Sequence, residues 1–130
     1  MESHLDAAQR DRLRQMLEAQ RATLRETLRG EVLAADILRA EDIADRVRDP
    51  GDEAVVDLLA DLEYADIDRH IGALRATEAA LRAWHDGRYG VCADCGGPIP
   101  YARLEAYPTA SRCIDCQAEY ERAGGPTPRL

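Results

Sequence analysis

The sequence contains no lysine and no phenylalanine, a single tryptophan, and no proline before Pro50. With aromatic residues at 5%, the 45% hydrophobic content falls largely on Ala and Leu. Small and branched apolar side chains of this kind suit helices packed along narrow seams better than one thick core. No stretch approaches the roughly 18 unbroken apolar residues of a membrane span. The opening Met1-Glu2-Ser3-His4 has neither the basic n-region nor the apolar h-region of a secretion signal. The expected location is therefore the cytoplasm, where four cysteines are expected as thiolates on a metal rather than as disulfides. The absence of lysine carries no functional meaning by itself.

What is present is negative charge. The 130 residues carry a net charge of −8, enough chain for one domain, or one domain with an appendage. From residue 87 onward Arg88, Arg103, Arg112, Arg122 and Arg129 balance Asp94, Glu105, Asp115, Glu119 and Glu121. The whole excess of acid thus lies in residues 1–86. Duplex binding needs clustered positive charge to displace counterions from phosphate, so direct DNA binding is disfavoured. The acidic part suits a protein partner with a basic surface.

Apolar residues Leu13, Met16, Leu17, Leu24, Leu28, Val32, Ile37, Ile43 and Val47 recur mostly three, four or seven apart, predicting a helix over 4–48. Ser3, with Asp6 three residues on, reads as its capping box. Gly30, which costs about 1 kcal/mol relative to Ala inside a helix, is the place for a bend or break. A second pattern, Val55, Leu58, Leu59, Leu62, Ile67, Ile71, Leu74, Leu81 and Trp84, ends at Asp86-Gly87, and Gly suits the left-handed position after a helix. Joined through Asp49-Pro50-Gly51, the two helices read as an antiparallel coiled-coil hairpin. Glycines and prolines punctuate 87–112 and predict turns with short strands rather than a long helix. A short final helix is expected from Cys113 to about Arg122, stopped by Gly124-Gly125-Pro126, with a loose tail beyond.

The chemistry lies in Cys92-x2-Cys95 and Cys113-x2-Cys116. Two such pairs bend two turns around one metal and supply four thiolates in a tetrahedron, the pattern of a structural zinc site. Gly96 frees backbone amides to turn towards the sulfurs. Four cysteine ligands leave no open position, so the zinc folds the segment and does not activate water. Oxidation of the thiolates is an additional role the site could serve.

The run Gly87-Arg88-Tyr89-Gly90-Val91-Cys92-Ala93-Asp94-Cys95-Gly96 resembles the opening of the DksA/TraR zinc finger. So do Ile99, Arg103-Leu104-Glu105-Ala106, Pro108, Ala110 and Cys113-Ile114-Asp115-Cys116-Gln117. The segment Asp49-Pro50-Gly51-Asp52-Glu53-Ala54 is similar to the coiled-coil tip of the longer members, for which the chain before the hairpin is short. The resemblance implies a transcription factor that binds RNA polymerase core or holoenzyme, enters its secondary channel, and acts through tip residues Asp49, Asp52 and Ala54. The same hexapeptide is also simply a good helix start, with Asp at a cap and Pro at the first helical position. In the family the alarmone guanosine tetraphosphate binds with help from basic side chains. The matching positions here are Ala76, Tyr107 and Gln117, none of which pairs with phosphate as Arg or Lys does, while Arg69 does match a basic position. Alarmone synergy is therefore expected to be weak or absent.

The fold class expected is mostly α: a long antiparallel coiled-coil hairpin, a small four-cysteine zinc finger and a short C-terminal helix. The parts are residues 1–30 as an N-terminal helical segment, 31–86 as the hairpin with its tip at 49–54, 87–123 as finger and final helix, and 124–130 as tail. His4, His70 and His85 are read as solvated or helix-terminal. Trp84 and Tyr89 are expected to pack hairpin against finger. Arg103 is either a polymerase contact or a packing residue. No base, nucleophile or pocket accompanies the paired acids, so no enzyme is expected, and the chain is read as a monomer that binds neither membrane nor specific DNA. The rival reading is a zinc-ribbon adaptor that engages another protein through its acidic coil.

Overall fold

The structure, a computed structural model, describes residues 4–48 and 53–125; the side chains of residue 38 and of residues 42–63 fall outside that description. Four helices follow in order: α1 (Ala7–Arg48), α2 (Glu53–His85), α3 (Tyr101–Ala106) and α4 (Ile114–Arg122). Among the described residues the only β pairing is an isolated antiparallel bridge between Val91 and Pro98. The short strands expected over 87–112 reduce to that bridge.

Both long helices follow the apolar periodicity, with a correction at the first cap. Asp6, rather than Ser3, opens α1: its carboxylate accepts the Gln9 backbone N–H at 2.7 Å, and the Gln9 side chain accepts the Asp6 N–H at 3.1 Å. This is a reciprocal capping box that satisfies donors the first helical turn leaves free. Gly30 does not interrupt α1, which is helical through it. α2 ends with Arg82 and His85 in its last turn, where positive charge meets the carbonyl end of the helix. Gly87 follows at φ +75.

The unexpected element is α3. Pro100 supplies its fixed φ of −57 just ahead of the helix, and its carbonyl accepts from Arg103 and Leu104, each at 3.1 Å. Tyr107, preceding Pro108, leaves helical geometry at φ −143 and ψ 82, as a residue before proline tends to. α4 begins where the sequence places it, with Cys113 at the cap position.

The chain divides into two compact units. The first comprises residues up to Gln20 together with those from Ala76 onward; the second comprises Arg21–Arg75. In the first unit Leu5, Leu13 and Leu17 from the start of the chain, Leu81 of α2, and Tyr89, Cys92, Ile99, Leu104 and Ala110 form one buried cluster. Full burial of a Leu or Ile side chain is worth about 1.5–3 kcal/mol, so this cluster is the main source of cohesion there. Thr77 is completely buried among these apolar groups and accepts from the Gln20 amide at 2.9 Å.

In the second unit α1 and α2 pair antiparallel. Glu31 meets His70, and Arg39 meets the Tyr64 hydroxyl, so partner numbers rise on one helix as they fall on the other. Ala35 and Ile67 are buried in this seam. Among the described residues no helix is long and apolar enough to cross a membrane.

Candidate metal centre

The four cysteines converge. Their sulfurs all lie within 4.8 Å of one another, with those of Cys95 and Cys113 separated by 3.9 Å. Tetrahedral zinc with Zn–S bonds near 2.3 Å holds its sulfurs about 3.8 Å apart, so the donor set fits that ion in number, type and spacing.

Local backbone geometry explains how a short sequence brings them together. The first pair sits in a knuckle in which Gly96 N–H bonds to the Cys92 carbonyl at 3.0 Å and Cys92 N–H bonds to the Gly97 carbonyl at 2.8 Å. Gly96 takes φ +74, a left-handed value that an L side chain resists. The Gly97 N–H then reaches the Cys95 sulfur at 3.4 Å, the amide-to-sulfur turn expected of this motif. The second pair spans the start of α4, with Cys113 at its cap and Cys116 in its first turn. A helix N-terminus favours the negative charge of a thiolate. Ala93 N–H to Ser111 carbonyl, at 2.8 Å, ties the first knuckle to the segment entering the second.

Burial pushes the Cys92 thiol up, but backbone N–H groups of Cys95, Cys113 and Asp94 outweigh it and bring the thiol down to about 6. The neighbouring sulfurs of Cys113 and Cys92 push Cys116 up instead. Sulfurs this close do not all ionise together unless a cation balances them. A divalent zinc ion supplies that balance, and with four thiolate ligands its role is structural.

The surroundings include residues that spacing did not single out. Arg112 donates to Asp94 at 2.8 Å and lays its guanidinium 3.8 Å from the Tyr120 ring centre, linking the first knuckle to α4. His4 is not simply solvated: its Nε2 lies 2.6 Å from the Ile99 carbonyl, so the start of the chain is bonded to the finger. His70 is likewise half-buried against Glu31, whereas His85 is exposed at the end of its helix. Short polar residues far apart in sequence carry no periodic signal, which is why these links were not legible.

Trp84 and Tyr89 hold α2, α1 and the finger within the first unit. The Trp84 indole N–H donates to the Arg10 carbonyl at 3.0 Å, and the Tyr89 hydroxyl donates to the Pro108 carbonyl at 2.7 Å. Arg103 donates to the Arg112 carbonyl at 3.0 Å and lies over the Tyr107 ring. Arg69 is exposed and paired with Asp66 at 3.0 Å. Asp49 and Asp52 lie outside the described residues; Ala54 falls in the first turn of α2.

The fold and the sulfur cluster together define a four-cysteine zinc protein built on two long helices. Residues 87–122 match the family described as prokaryotic dksA/traR C4-type zinc finger. The relatedness extends far beyond the finger. RNA polymerase-binding transcription factor DksA of Escherichia coli K12 is 34% identical over 116 residues, covering 89% of this chain and 74% of that protein. The protein of the same name from Caulobacter vibrioides NA1000 is 40% identical over 81 residues, 62% of this chain and 52% of its own length. Among solved structures, transcription factor DksA2 from Pseudomonas aeruginosa superposes with a TM-score of 0.79 at 29% identity, covering 93% of this chain and 89% of that one. The chain belongs to the DksA/TraR family.

Proposed function

We propose that this protein is a transcription regulator that binds RNA polymerase and inserts an acidic coiled-coil tip into the enzyme's secondary channel, altering promoter-complex stability and initiation. The observation that carries this reading is the extent of the match to a polymerase-binding factor, 89% of the chain. That extent takes in both long helices as well as the finger at 87–122. A shared zinc knuckle alone says little about function; a shared pair of long helices beside it says more.

Charge supports the same reading. The acid excess lies in residues 1–86, which suits a basic protein surface and opposes duplex binding. Asp49, Asp52 and Ala54 are assigned as tip determinants. The zinc, held by Cys92, Cys95, Cys113 and Cys116, has no open position for a reacting water, so the protein works by binding.

Alarmone synergy is assigned as weak or absent. Ala76 has nothing to offer a phosphate, Tyr107 lies half-buried beside Arg103, and Gln117 is engaged with Glu121 at 3.2 Å. Arg69, already paired with Asp66, is the one basic side chain among these positions. An undiminished guanosine tetraphosphate effect, measured with polymerase lacking its other alarmone site, would contradict this.

The deciding measurement is the lifetime of an unstable promoter complex with purified polymerase, with and without this protein and its Asp52→Asn variant. The reading expects the wild type to shorten the lifetime and Asp52→Asn to bind without doing so. If the wild type neither binds polymerase nor changes the lifetime, the reading fails in favour of an adaptor with another partner.

A further inference from the structure

Two glycines lie inside the long helices where nothing around them calls for glycine. Gly30 of α1 and Gly72 of α2 are both exposed, and a side chain built at either meets nothing within 4 Å. Neither is among the glycines with positive φ. Close approach of a neighbour and left-handed backbone, two ordinary reasons for placing glycine, are therefore both missing. The cost stays: each glycine weakens its helix locally about fivefold relative to Ala.

The two positions share one level of the hairpin. Glu31 meets His70 and Arg39 meets Tyr64 across the seam. One residue back along α1 and two on along α2 bring Gly30 and Gly72 level to within about one residue's rise, roughly 1.5 Å. The seam is also thinnest there. Ala35 and Ile67 are buried in it, but from residue 21 to 34 of α1 and from 68 to 75 of α2 no residue is buried. Few buried contacts and exposed backbone hydrogen bonds set a low local stability. Both helices are weak at the same place, where the least packing holds them straight.

We propose that Gly30 and Gly72 form a joint at which the two helices bend together, with α1 from Glu31 onward and α2 up to Ile71 moving as one arm. The use of the joint rests on the polymerase reading above: it adapts the direction of the hairpin as the protein seats on RNA polymerase. A flexible point in one helix alone is held straight by its neighbour, whereas matched points are not. The Glu31–His70 pair, just beyond the glycines, ties the helices and carries a bend in one into the other. Bending of this kind belongs to the microsecond-to-millisecond range. It transiently opens the helix hydrogen bonds that span the glycines, those donated by residues 31–34 and 73–76.

The test uses the full zinc-loaded chain with Gly30→Ala, Gly72→Ala and the double substitution. Amide hydrogen exchange should be faster at residues 31–34 and 73–76 than a turn or two to either side. Each Ala should slow its own four amides about fivefold. It should slow those of the opposite helix as well, which a purely local gain in helix propensity does not do. With purified polymerase, the double variant should associate at least about threefold more slowly than wild type, although its thermal midpoint is higher. Three outcomes overturn the proposal: exchange at these amides no faster than at their neighbours, an Ala that leaves the opposite helix unchanged, or undiminished association of the stiffened chain. If the unsubstituted chain does not bind polymerase, that reading falls, and the exchange pattern alone decides the joint.

Discussion

The indole N–H of Trp84, in the last turn of α2, donates to the main-chain carbonyl of Arg10 in α1 at 3.0 Å. Above the same ring sit the guanidinium groups of Arg10 and Arg14, at 5.2 and 5.6 Å from its centre. One side chain thus joins the two helices by a hydrogen bond and by its aromatic face. Trp84→Phe keeps a ring and removes the donor, so it should cost about 1 kcal/mol. Urea unfolding of the zinc-loaded protein reads this directly; an unchanged midpoint would mean the N–H contributes nothing.

Gly90 and Gly87 separate two meanings of a positive φ. Both are left-handed, at +83 and +75. A Cβ at Gly87 meets nothing within 4 Å, whereas one at Gly90 lies 3.2 Å from His4 Cε1 and 3.3 Å from Leu5 Cδ1. Each Ala substitution carries the left-handed penalty of about 1–2 kcal/mol, but only Gly90→Ala must also displace the start of the chain. The expected order of thermal midpoints is wild type, then Gly87→Ala, then Gly90→Ala. Equal midpoints for the two variants would show that His4 and Leu5 yield at no cost.

Tyr89 links stability to alkaline pH. Burial raises its phenol well above the ordinary value, so the folded state keeps the proton, and the hydrogen bond to Pro108, when the unfolded chain gives it up. The contribution is complete below the unfolded pKa of about 10 and is lost as pH rises beyond it. Tyr89→Phe should be less stable than wild type by about 1 kcal/mol at neutral pH, and the gap should narrow above pH 10. A gap that stays constant to high pH would show that the phenol ionises equally in both states.

Much of this was legible in the sequence because the physics behind it is local. Leucine periodicity gives α1 and α2, paired cysteines give the metal centre, and Cys113 followed by good helix formers gives α4. What escaped was short or distant. α3 is only six residues long, too few for a period to show, although Pro100 and Pro108 bracket it. The helix starts at Asp6 because Gln9, three residues on, completes a reciprocal box with it, a pairing as short-ranged as the Ser3–Asp6 one and so not separable from it by pattern alone. That Leu5, Leu13 and Leu17 share a core with Ile99 and Leu104 is a long-range fact, and periodicity shows only that a helix face is apolar, never what covers it. Asp49 and Asp52 lie outside the described residues, so the tip rests on sequence.

Glu31 and His70 form a half-buried pair between helices, and Glu31 Oε2 has no hydrogen-bond partner among the described residues. Removing one member leaves the other partly desolvated and alone, which costs more than the pair itself contributes. A double-mutant cycle of Glu31→Gln and His70→Gln should therefore show coupling of about 1 kcal/mol or more, with the double variant more stable than the sum of the singles predicts. Strict additivity would remove this pair from any role in holding α1 to α2.

Cys92 and Cys95 belong to one metal site but to different surroundings, and metal-free protein distinguishes them. Cys92 is 2% exposed within the cluster of Leu13, Leu17, Ile99 and Leu104, whereas Cys95 is exposed. Either residue changed to Ser should lose zinc affinity, seen as easier removal by a chelator. Because zinc displaces protons from thiols, removal should also become easier as pH falls. After the metal is gone the two variants should part. Cys92→Ser replaces a buried sulfur that accepts from the backbone N–H groups of Cys95, Cys113 and Asp94 with a smaller hydroxyl that packs less well, and should destabilise the remaining core by about 1–3 kcal/mol, while Cys95→Ser, facing water, should match metal-free wild type. Identical unfolding of the two metal-free variants would mean that the core around Cys92 does not survive without zinc, making the ion a condition for packing the first unit as well as for closing the finger.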